Sequence, residues 1–327
     1  MEFNLSSVSF TSEKNFTPVD VSRVYDVIIL GGGPAGLTAA VYCMRKGVST
    51  AILIKSIGGQ VAETASVENY MGYKYINGVG LVDKFREQVQ QFSIGYDEGH
   101  SVVRIESGVV KKVWLDDGRC LTARTLIIAT GKSWRKLGVP GEKEFTGKGV
   151  AYCTICDAPL FAGKRVVVAG GGNSGIESAL DLAPLASKVT VVQMLDKLTA
   201  DRILIEKLAG FTNVDYIFNS VVTAVKGDDV VSSVSIKNLK DSSIYDLETD
   251  GLFVEIGLDP NSLFAKDVVN LNSFSEIEID EMCSTSAEGI YAAGDVTSVR
   301  YKQIIIAAGE GAKAALSACD YIMISEN

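Results

Sequence analysis

The chain has 327 residues, too many for one ordinary domain but enough for two that each bury their own core. Hydrophobic residues make up 47% and charged residues 22%, an ordinary composition for a soluble globular protein. The formal net charge of −9 repels phosphate backbones and anionic lipids, so we expect neither a nucleic-acid nor a membrane partner. Residues 1–20 lack the basic start and the apolar stretch of a secretory signal, which predicts a cytoplasmic protein.

The first predicted elements form a βαβ unit. Residues 25–30 are a short apolar run typical of a strand buried in a parallel sheet, and a glycine-rich loop follows at 31–36. Residues 37–46 have a helical composition that Gly47 terminates, and residues 49–54 predict the next strand. This order of elements is typical of a parallel sheet with helices packed against it.

The same order returns in the second half of the chain. A strand, a glycine-rich loop, a helix and a strand are predicted at 165–169, 170–175, 176–185 and 188–194. Each copy precedes a strand-rich stretch, 102–129 with a turn at Asp117-Gly118, and 221–256 with turns at Gly227-Asp228 and Lys240-Asp241. Two copies of one plan indicate duplicated domains rather than a single large sheet.

Glycine and proline mark two candidate hinges, at 138–141 and 257–260. We therefore predict an α/β protein with two Rossmann-like dinucleotide-binding domains of the three-layer ββα type, the second inserted in the first. Residues 1–135 and 255–327 would form the discontinuous domain, and residues 136–254 the inserted one.

Both loops have the spacing G-x-G-x-x-G. The first glycine allows a tight turn, the second lets the backbone approach a pyrophosphate, and the third permits close packing of helix on strand. The alternative, two turns without a ligand, is disfavoured by the strand and helix that flank each loop. The candidate binding residues are Gly31, Gly33, Pro34, Ala35 and Gly36 in the first loop, and Gly170, Gly172, Asn173, Ser174 and Gly175 in the second.

An acidic residue that binds a ribose 2′-hydroxyl is expected about twenty residues after such a loop. Lys55 and Gln193 stand at the ends of the two strands instead, so neither copy has the acid. The 2′-phosphate of NADPH would require arginine after the second copy, where only Lys197 and Arg202 lie nearby. The choice between NADH and NADPH therefore stays open.

Cys153 and Cys156 form a CxxC pair shortly before the second loop. This spacing keeps both sulfurs within reach on the first turn of a helix, whose dipole lowers the thiol pKa, as disulfide exchange requires. A zinc site is the alternative, but it needs further ligands, and the other cysteines are scattered while His100 is the only histidine. We therefore predict a redox dithiol and no metal, with Asp157 as the acid–base residue.

Matching runs extend from about residue 25 to residue 321. The chain resembles the low-molecular-weight thioredoxin reductases, and still more the flavoprotein subunit of bacterial alkyl hydroperoxide reductase without its N-terminal extension. The runs that carry the resemblance are Gly58-Gly59-Gln60, Val67-Glu68-Asn69-Tyr70, Ala129-Thr130-Gly131, Cys153-Thr154-Ile155-Cys156-Asp157, Gly289-Ile290-Tyr291-Ala292-Ala293-Gly294-Asp295 and Tyr301-Lys302-Gln303-Ile304-Ile305-Ile306.

The resemblance implies that the discontinuous domain binds FAD and that the inserted domain binds the nicotinamide nucleotide. It also implies a homodimer, in which electrons reach the disulfide at Cys156, Cys153 attacks the partner's disulfide, and Asp157 protonates the leaving thiolate. By motif, it adds as candidate FAD-binding residues Gly59, Gln60, Asn69, Thr130, Gly131, Gly294, Asp295, Gln303 and Ile304.

We therefore expect an FAD-dependent disulfide reductase that uses NADH or NADPH and acts on thioredoxin or a glutaredoxin-like protein, with a peroxiredoxin system as a further candidate. One alternative is a reductase that takes its electrons from ferredoxin, although related enzymes of that kind have generally lost the second glycine loop. Another is a redox-sensing binding protein without turnover. Because the dithiol and the nicotinamide share one domain, the inserted domain is expected to rotate between half-reactions.

Overall fold

The computed structural model describes residues 16–63, 67, 69–152 and 154–325. The chain divides into two compact units, a first unit of Met1–Lys132 with Pro260–Asn327 and a second unit of Ser133–Asp259. The first unit is therefore discontinuous in sequence. Within the described ranges, we find no helix whose length and apolar character would let it cross a lipid bilayer.

Helices and strands alternate along both units, as in other α/β proteins. The helices are α1 (Pro34–Lys46), α2 (Gly78–Val89), α3 (Thr154–Asp157), α4 (Asn173–Leu182), α5 (Arg202–Leu208) and α6 (Ile304–Ser325). The strands are β1 (Phe16–Pro18), β2 (Val24–Leu30), β3 (Thr50–Ile54), β4 (Ile94–Glu98), β5 (Val102–Glu106), β6 (Lys111–Leu115), β7 (Cys120–Ile128), β8 (Lys132–Trp134), β9 (Val150–Ala151), β10 (Arg165–Ala169), β11 (Lys188–Val192), β12 (Val214–Ile217), β13 (Ser220–Gly227), β14 (Val231–Asn238), β15 (Ile244–Glu248), β16 (Gly251–Val254), β17 (Leu258–Pro260) and β18 (Ile290–Ala292).

The first unit is built on one eight-stranded sheet. Its strand order is β1-β4-β3-β2-β7-β6-β5, and β18 also pairs with β7. The pairs β1–β4, β4–β3, β3–β2, β2–β7 and β7–β18 are parallel, whereas β5, β6 and the start of β7 are antiparallel. Because parallel strands end at one edge of the sheet, the loops after β2 and β18 open on the same side.

Alternate residues of β2 pack against opposite layers. Val27 and Ile29 belong to the core cluster formed with α1 and α6, while Ile28 and Leu30 belong to the cluster that contains Val113 of β6. Side chains of a strand point to alternating faces, so an uninterrupted apolar strand requires cover on both faces. This explains why the strand reads as a continuous hydrophobic run.

The second unit repeats this design in three layers. Its parallel sheet has the order β12-β11-β10-β16-β9, and β13-β14-β15 form a separate antiparallel sheet. In β10, Val166 and Val168 pack in the cluster of α4, whereas Val167 and Ala169 pack in the cluster of the antiparallel sheet. The predicted fold class, α/β with two Rossmann-like units, is confirmed.

Most of the predicted elements agree with the structure, but several boundaries differ. The turn residues predicted at 117–118, 227–228 and 240–241 all lie at or between the ends of consecutive antiparallel strands. The helix predicted at 176–185 is α4, which begins earlier because Gly172 is its N-cap, and it ends at Leu182. The strand predicted to reach residue 194 ends at Val192. α2 and β4 lie outside the predicted elements, and β4 extends the parallel sheet beyond β3.

Candidate nucleotide and dithiol sites

The first glycine-rich loop leaves the carboxyl end of β2 and turns directly into α1. Gly31 has a φ of 118°, and a Cβ there would lie 2.2 Å from the carbonyl oxygen of Ala129. A Cβ on Gly36 would lie 1.9 Å from the carbonyl oxygen of Gly31. Both positions therefore require glycine, and the loop is a tight turn against the ends of β2 and β7.

The middle glycine of this loop has the opposite environment. Gly33 is the N-cap of α1, and a Cβ built on it meets no atom within 4 Å. Pro34 is the first helical residue, and no side chain caps the helix. The first-turn N–H groups, which include those of Ala35 and Gly36, are thus arranged for an anion. The loop fits a pyrophosphate.

Two more predicted segments reach this loop. A Cβ on Gly59 would lie 3.7 Å from the Cα of Gly33, so these two backbones are close neighbours. Asn69 Nδ2 donates a hydrogen bond of 3.1 Å to Gln303 Oε1, just before α6. Ile304 begins α6 and packs against a small buried cluster beside the same segment. The structure therefore brings these candidates together within the first unit.

The segment after β7 is held from two sides. Thr130 Oγ1 donates to the carbonyl of Asn261 at 2.6 Å, and Asn261 Nδ2 donates back to the carbonyl of Thr130 at 2.9 Å. The Asn261 N–H donates to the carbonyl of Gly131 at 3.0 Å. Gln60 Nε2 donates to the carbonyl of Lys132 at 3.2 Å. These bonds fix the segment, and it lies beside the first loop, because a Cβ on Gly31 would be 3.0 Å from the nitrogen of Thr130.

Gly294 and Asp295 follow β18 and complete the group. A Cβ on Gly294 would lie 3.1 Å from the Cβ of Ala35, so Gly294 packs on the first turn of α1. Burial raises the pKa of the Asp295 carboxyl, and the positive charges of Lys302 and Lys132 oppose that rise. Every FAD-binding candidate of the first unit thus lies in one connected region.

A charged cluster accompanies this region. Glu276 Oε1 lies 3.0 Å from both Lys132 Nζ and Lys302 Nζ. Burial works against ionisation of Glu276, but hydrogen bonds from Asn272, Lys132 and Lys302 lower its pKa to about 2. The carboxylate therefore stays ionised at any ordinary pH and holds the two lysines in place.

The second glycine-rich loop has the same backbone plan as the first. Gly170 has a φ of 127°, and a Cβ there would lie 2.0 Å from the carbonyl oxygen of Glu255. A Cβ on Gly175 would lie 2.1 Å from the carbonyl oxygen of Gly170. Gly172 is the N-cap of α4, and a Cβ there would meet only Thr199 Oγ1, at 3.8 Å. This loop also fits a pyrophosphate.

The first two residues of α4 are engaged by neighbouring groups. Asn173 Oδ1 accepts a hydrogen bond of 2.7 Å from the N–H of Asp201, and its Nδ2 donates to Asp201 Oδ2 at 3.2 Å. The nearby hydroxyl of Ser174 lowers the pKa of the Glu255 carboxyl. These contacts leave the backbone N–H groups at the start of α4 as the groups that face a ligand.

No carboxylate stands at either of the two positions where a ribose-binding acid is expected, Lys55 and Gln193. Gln193 is buried, its Oε1 accepts from the next backbone N–H at 3.0 Å, and its Nε2 donates to the carbonyl of Lys197 at 3.3 Å. Arg202 is 91% exposed and pairs with Glu206. Lys55 is exposed. The amide of Gln193 is therefore bound to its own loop rather than presented to a ribose.

The dithiol segment is described in part. Cys153 lies outside the described residues, and only the backbone of Cys156 is described, within α3. Asp157 is the last residue of α3, and its partial burial raises the pKa of its carboxyl. Thr154, which stands between the two cysteines, is buried. The segment belongs to the second unit, as does the second glycine-rich loop.

The family model described as pyridine nucleotide-disulphide oxidoreductase matches residues 25–311. The chain belongs to this family.

Named relatives agree with this assignment. A protein of Ferdinandcohnia aciditolerans named NADH dehydrogenase is 42% identical over 299 residues, which are 91% of this chain and 58% of that protein. A Staphylococcus aureus protein named as a subunit of alkyl hydroperoxide reductase is 45% identical over 300 residues, 91% of this chain and 59% of that protein. The crystal structure of Lactococcus lactis thioredoxin reductase has a TM-score of 0.84 at 36% identity, covering 92% of this chain and 99% of that one.

The predicted resemblance is therefore confirmed, and this chain spans about three fifths of the length of the curated relatives it matches.

This member of the family has polar residues near its candidate sites that the sequence pattern did not reveal. Thr154 Oγ1 shares a hydrogen bond with Ser178 Oγ of α4 and donates to Glu255 Oε1 at 3.3 Å. Burial raises the pKa of Glu255 to about 7. The available signal was a carboxylate directly after the buried strand β16, at the edge where ligands of α/β sheets bind. For the cluster around Glu276, the sequence offers no comparable signal.

Proposed function

We propose that the chain is an FAD-dependent protein-disulfide reductase. Electrons would pass from NADH or NADPH through FAD and the Cys153–Cys156 pair to the disulfide of a thioredoxin- or glutaredoxin-like protein. The observation that carries the proposal is the repeated loop geometry, with two crowded glycines around one open glycine at the N-terminus of a helix in each unit. The CxxC segment in the second unit and the names of the relatives support it.

In this proposal the first unit holds FAD. The N–H groups at the start of α1 bind its pyrophosphate, and Asp295 lies at the same edge, after β18. When bound, FAD supplies the two-electron relay between a nicotinamide and a disulfide. The segments around Thr130 and Gln303 surround the same loop, so they are the remaining candidates to orient the flavin.

The dithiol then acts on the partner protein. The Cys153 thiolate attacks one sulfur of the partner's disulfide, a mixed disulfide forms, and the departing partner thiolate takes a proton from Asp157. The Cys156 thiolate next attacks Cys153, releases the second partner thiolate and closes the Cys153–Cys156 disulfide. Two electrons have passed to the partner. The raised pKa of Asp157 suits this role, since the carboxyl keeps its proton to a higher pH than an exposed aspartate.

We propose a pyridine nucleotide rather than ferredoxin as the electron donor. The support is the second loop, whose glycine geometry repeats that of the first and whose open Gly172 leaves room for phosphates. The names of the relatives support a thioredoxin-like protein or a peroxiredoxin system as the partner. A homodimer in the cytoplasm, with the second unit rotating between half-reactions, completes the proposal.

Anaerobic stopped-flow mixing tests the donor. NADH or NADPH should bleach the flavin absorbance of the purified yellow protein, and bleaching by reduced ferredoxin alone would favour the ferredoxin-dependent alternative. Cys153→Ser and Cys156→Ser should abolish turnover of an oxidised thioredoxin-fold protein while ferricyanide reduction persists, because the artificial acceptor takes electrons without the dithiol. Unchanged protein-disulfide turnover in both variants would eliminate the assignment.

A further inference from the structure

Glu255 stands where the second glycine-rich loop begins. Its N–H donates to the carbonyl of Ala169 at 2.8 Å, and Gly170 packs against its carbonyl oxygen. In the first unit Ala129 has the same place, since its N–H donates to the carbonyl at the end of β2 at 2.8 Å and Gly31 packs against its carbonyl oxygen. The shared backbone plan uses only the N–H and the carbonyl of this residue. The carboxyl of Glu255 therefore serves something other than the turn.

That carboxyl connects the dithiol helix to the nucleotide helix through Thr154. Glu255 Oε1 accepts a hydrogen bond of 3.3 Å from Thr154 Oγ1 in α3, and the nearby hydroxyl of Ser174 in the first turn of α4 lowers the pKa of the same carboxyl. Thr154 in turn shares its hydroxyl with Ser178, one turn further along α4. Glu255 thus contacts the segment between the two cysteines and the segment that faces the phosphates.

The charge of this carboxyl changes near neutral pH. Burial raises the pKa of Glu255 to about 7, the hydroxyls of Thr154 and Ser174 oppose the rise, and the negative charge of Glu177 adds to it. Glu177 on α4 also has a raised pKa, because of its own burial and the nearby Asp181 and Asp201. The charge that acts on Glu255 therefore comes from an acidic group, Glu177, and it favours the neutral form of Glu255.

We propose that Glu255 is a positioning residue that joins α3 to the second loop, and that its charge sets the affinity of this loop for dinucleotide phosphates. The inference rests on the proposed function of the second loop as the nucleotide site. Below neutral pH the protonated carboxyl leaves the N–H groups of α4 as the dominant field, and a pyrophosphate binds well. Above neutral pH the carboxylate repels the pyrophosphate, so the affinity falls.

Binding to the oxidised holoenzyme tests this inference without turnover. The probes are ADP-ribose and 2′-phospho-ADP-ribose, which carry the phosphates but no nicotinamide, and their dissociation constants are measured by calorimetry between about pH 6 and pH 8.5. For the probe that binds, we expect the wild type to lose roughly five- to tenfold in affinity across this range. Glu255→Gln should bind with the low-pH affinity of the wild type throughout.

Three variants make the result specific. Glu248 belongs to the same unit, and its side chain is 80% exposed and pairs with Arg165. Glu248→Gln should therefore show the same dependence of probe affinity on pH as the wild type. Thr154→Val removes a hydrogen bond that favours the carboxylate form of Glu255. The pH at which half of the affinity change has occurred should therefore be higher in this variant. The inference is overturned if the affinity of Glu255→Gln for the probe still falls as the pH rises. It is also overturned if this pH dependence is lost in Glu177→Gln instead.

The outcomes also separate this inference from the proposed function. If neither probe binds at any pH, the nucleotide site itself is wrong. If a probe binds with an affinity that does not change with pH, the nucleotide site stands and the role of Glu255 is refuted. Flavin absorbance and far-ultraviolet circular dichroism check that each variant is folded.

Discussion

Glu255→Gln should stabilise the protein at alkaline pH and leave its stability unchanged at acidic pH. The pKa of Glu255 rises from 4.5 to about 7 on folding. The unfolded chain therefore loses this proton at lower pH than the folded chain does, and the wild type loses stability as the pH rises from about 4.5 to about 7. A rise of roughly 2.5 pKa units at about 1.4 kcal/mol per unit gives about 3 kcal/mol above pH 8. Glutamine keeps the shape and stays neutral, so it avoids this loss.

Thermal unfolding of both holoproteins between about pH 4 and pH 9 measures the effect. The difference in Tm between variant and wild type should be near zero at the acidic end and should grow to roughly 5 °C at the alkaline end. Contributions common to both proteins, such as flavin release, cancel in this difference. Glu248→Gln serves as the control and should follow the wild type. A difference in Tm that is the same at both ends of the range would refute the reasoning.

Two predictions concern the first unit. Gly36→Val should yield a colourless protein with a low ratio of flavin to protein absorbance, because the valine side chain would begin 1.9 Å from a carbonyl oxygen of the loop. The control is Gly309→Ala, which should stay yellow because a Cβ at that position meets no atom within 4 Å. Glu276→Gln should lower the free energy of unfolding at neutral pH by about 1–3 kcal/mol, since it breaks the pairs with Lys132 and Lys302. The pKa of Glu276 is lowered from 4.5 to about 2, so this stabilisation is present above pH 4.5 and is lost as the pH falls toward 2. Urea unfolding measures this loss of unfolding free energy. A loss in Glu276→Gln that is equal at neutral pH and at about pH 3 would contradict that account.

The two glycine loops were predictable because their requirements are local. A positive φ at the first glycine and a crowded third glycine are properties of a few consecutive residues, and glycine is the residue that meets them. The buried parallel strands were predictable for the same reason, since an apolar run between turn residues depends on its own sequence. By contrast, β4 pairs with β3 across the whole of α2, and its sequence mixes glycine with acidic residues. Its place in the sheet depends on tertiary contacts that no local pattern records.

The polar contacts of the sites were the least predictable part. Thr154 and Glu255 are 101 residues apart in the sequence, and the carboxyl belongs to no recognised motif. Gln193 could be read as a ribose ligand from its position, yet the structure binds its amide to the following loop. In both cases the deciding fact is which atoms lie within hydrogen-bonding distance, and this follows from how the strands end relative to one another.

The difference between Ala129 and Glu255 suggests why a duplicated site would keep its backbone and change its side chains. In the first unit the methyl group of Ala129 adds no charge beside the loop, and Asn261 holds the neighbouring Thr130 and Gly131, an arrangement suited to a cofactor that stays bound. In the second unit the same position carries a group that ionises near neutral pH. If the second loop binds the nucleotide as proposed, that nucleotide must leave after every hydride transfer, and a carboxylate beside its phosphates would weaken binding without altering the turn that receives them.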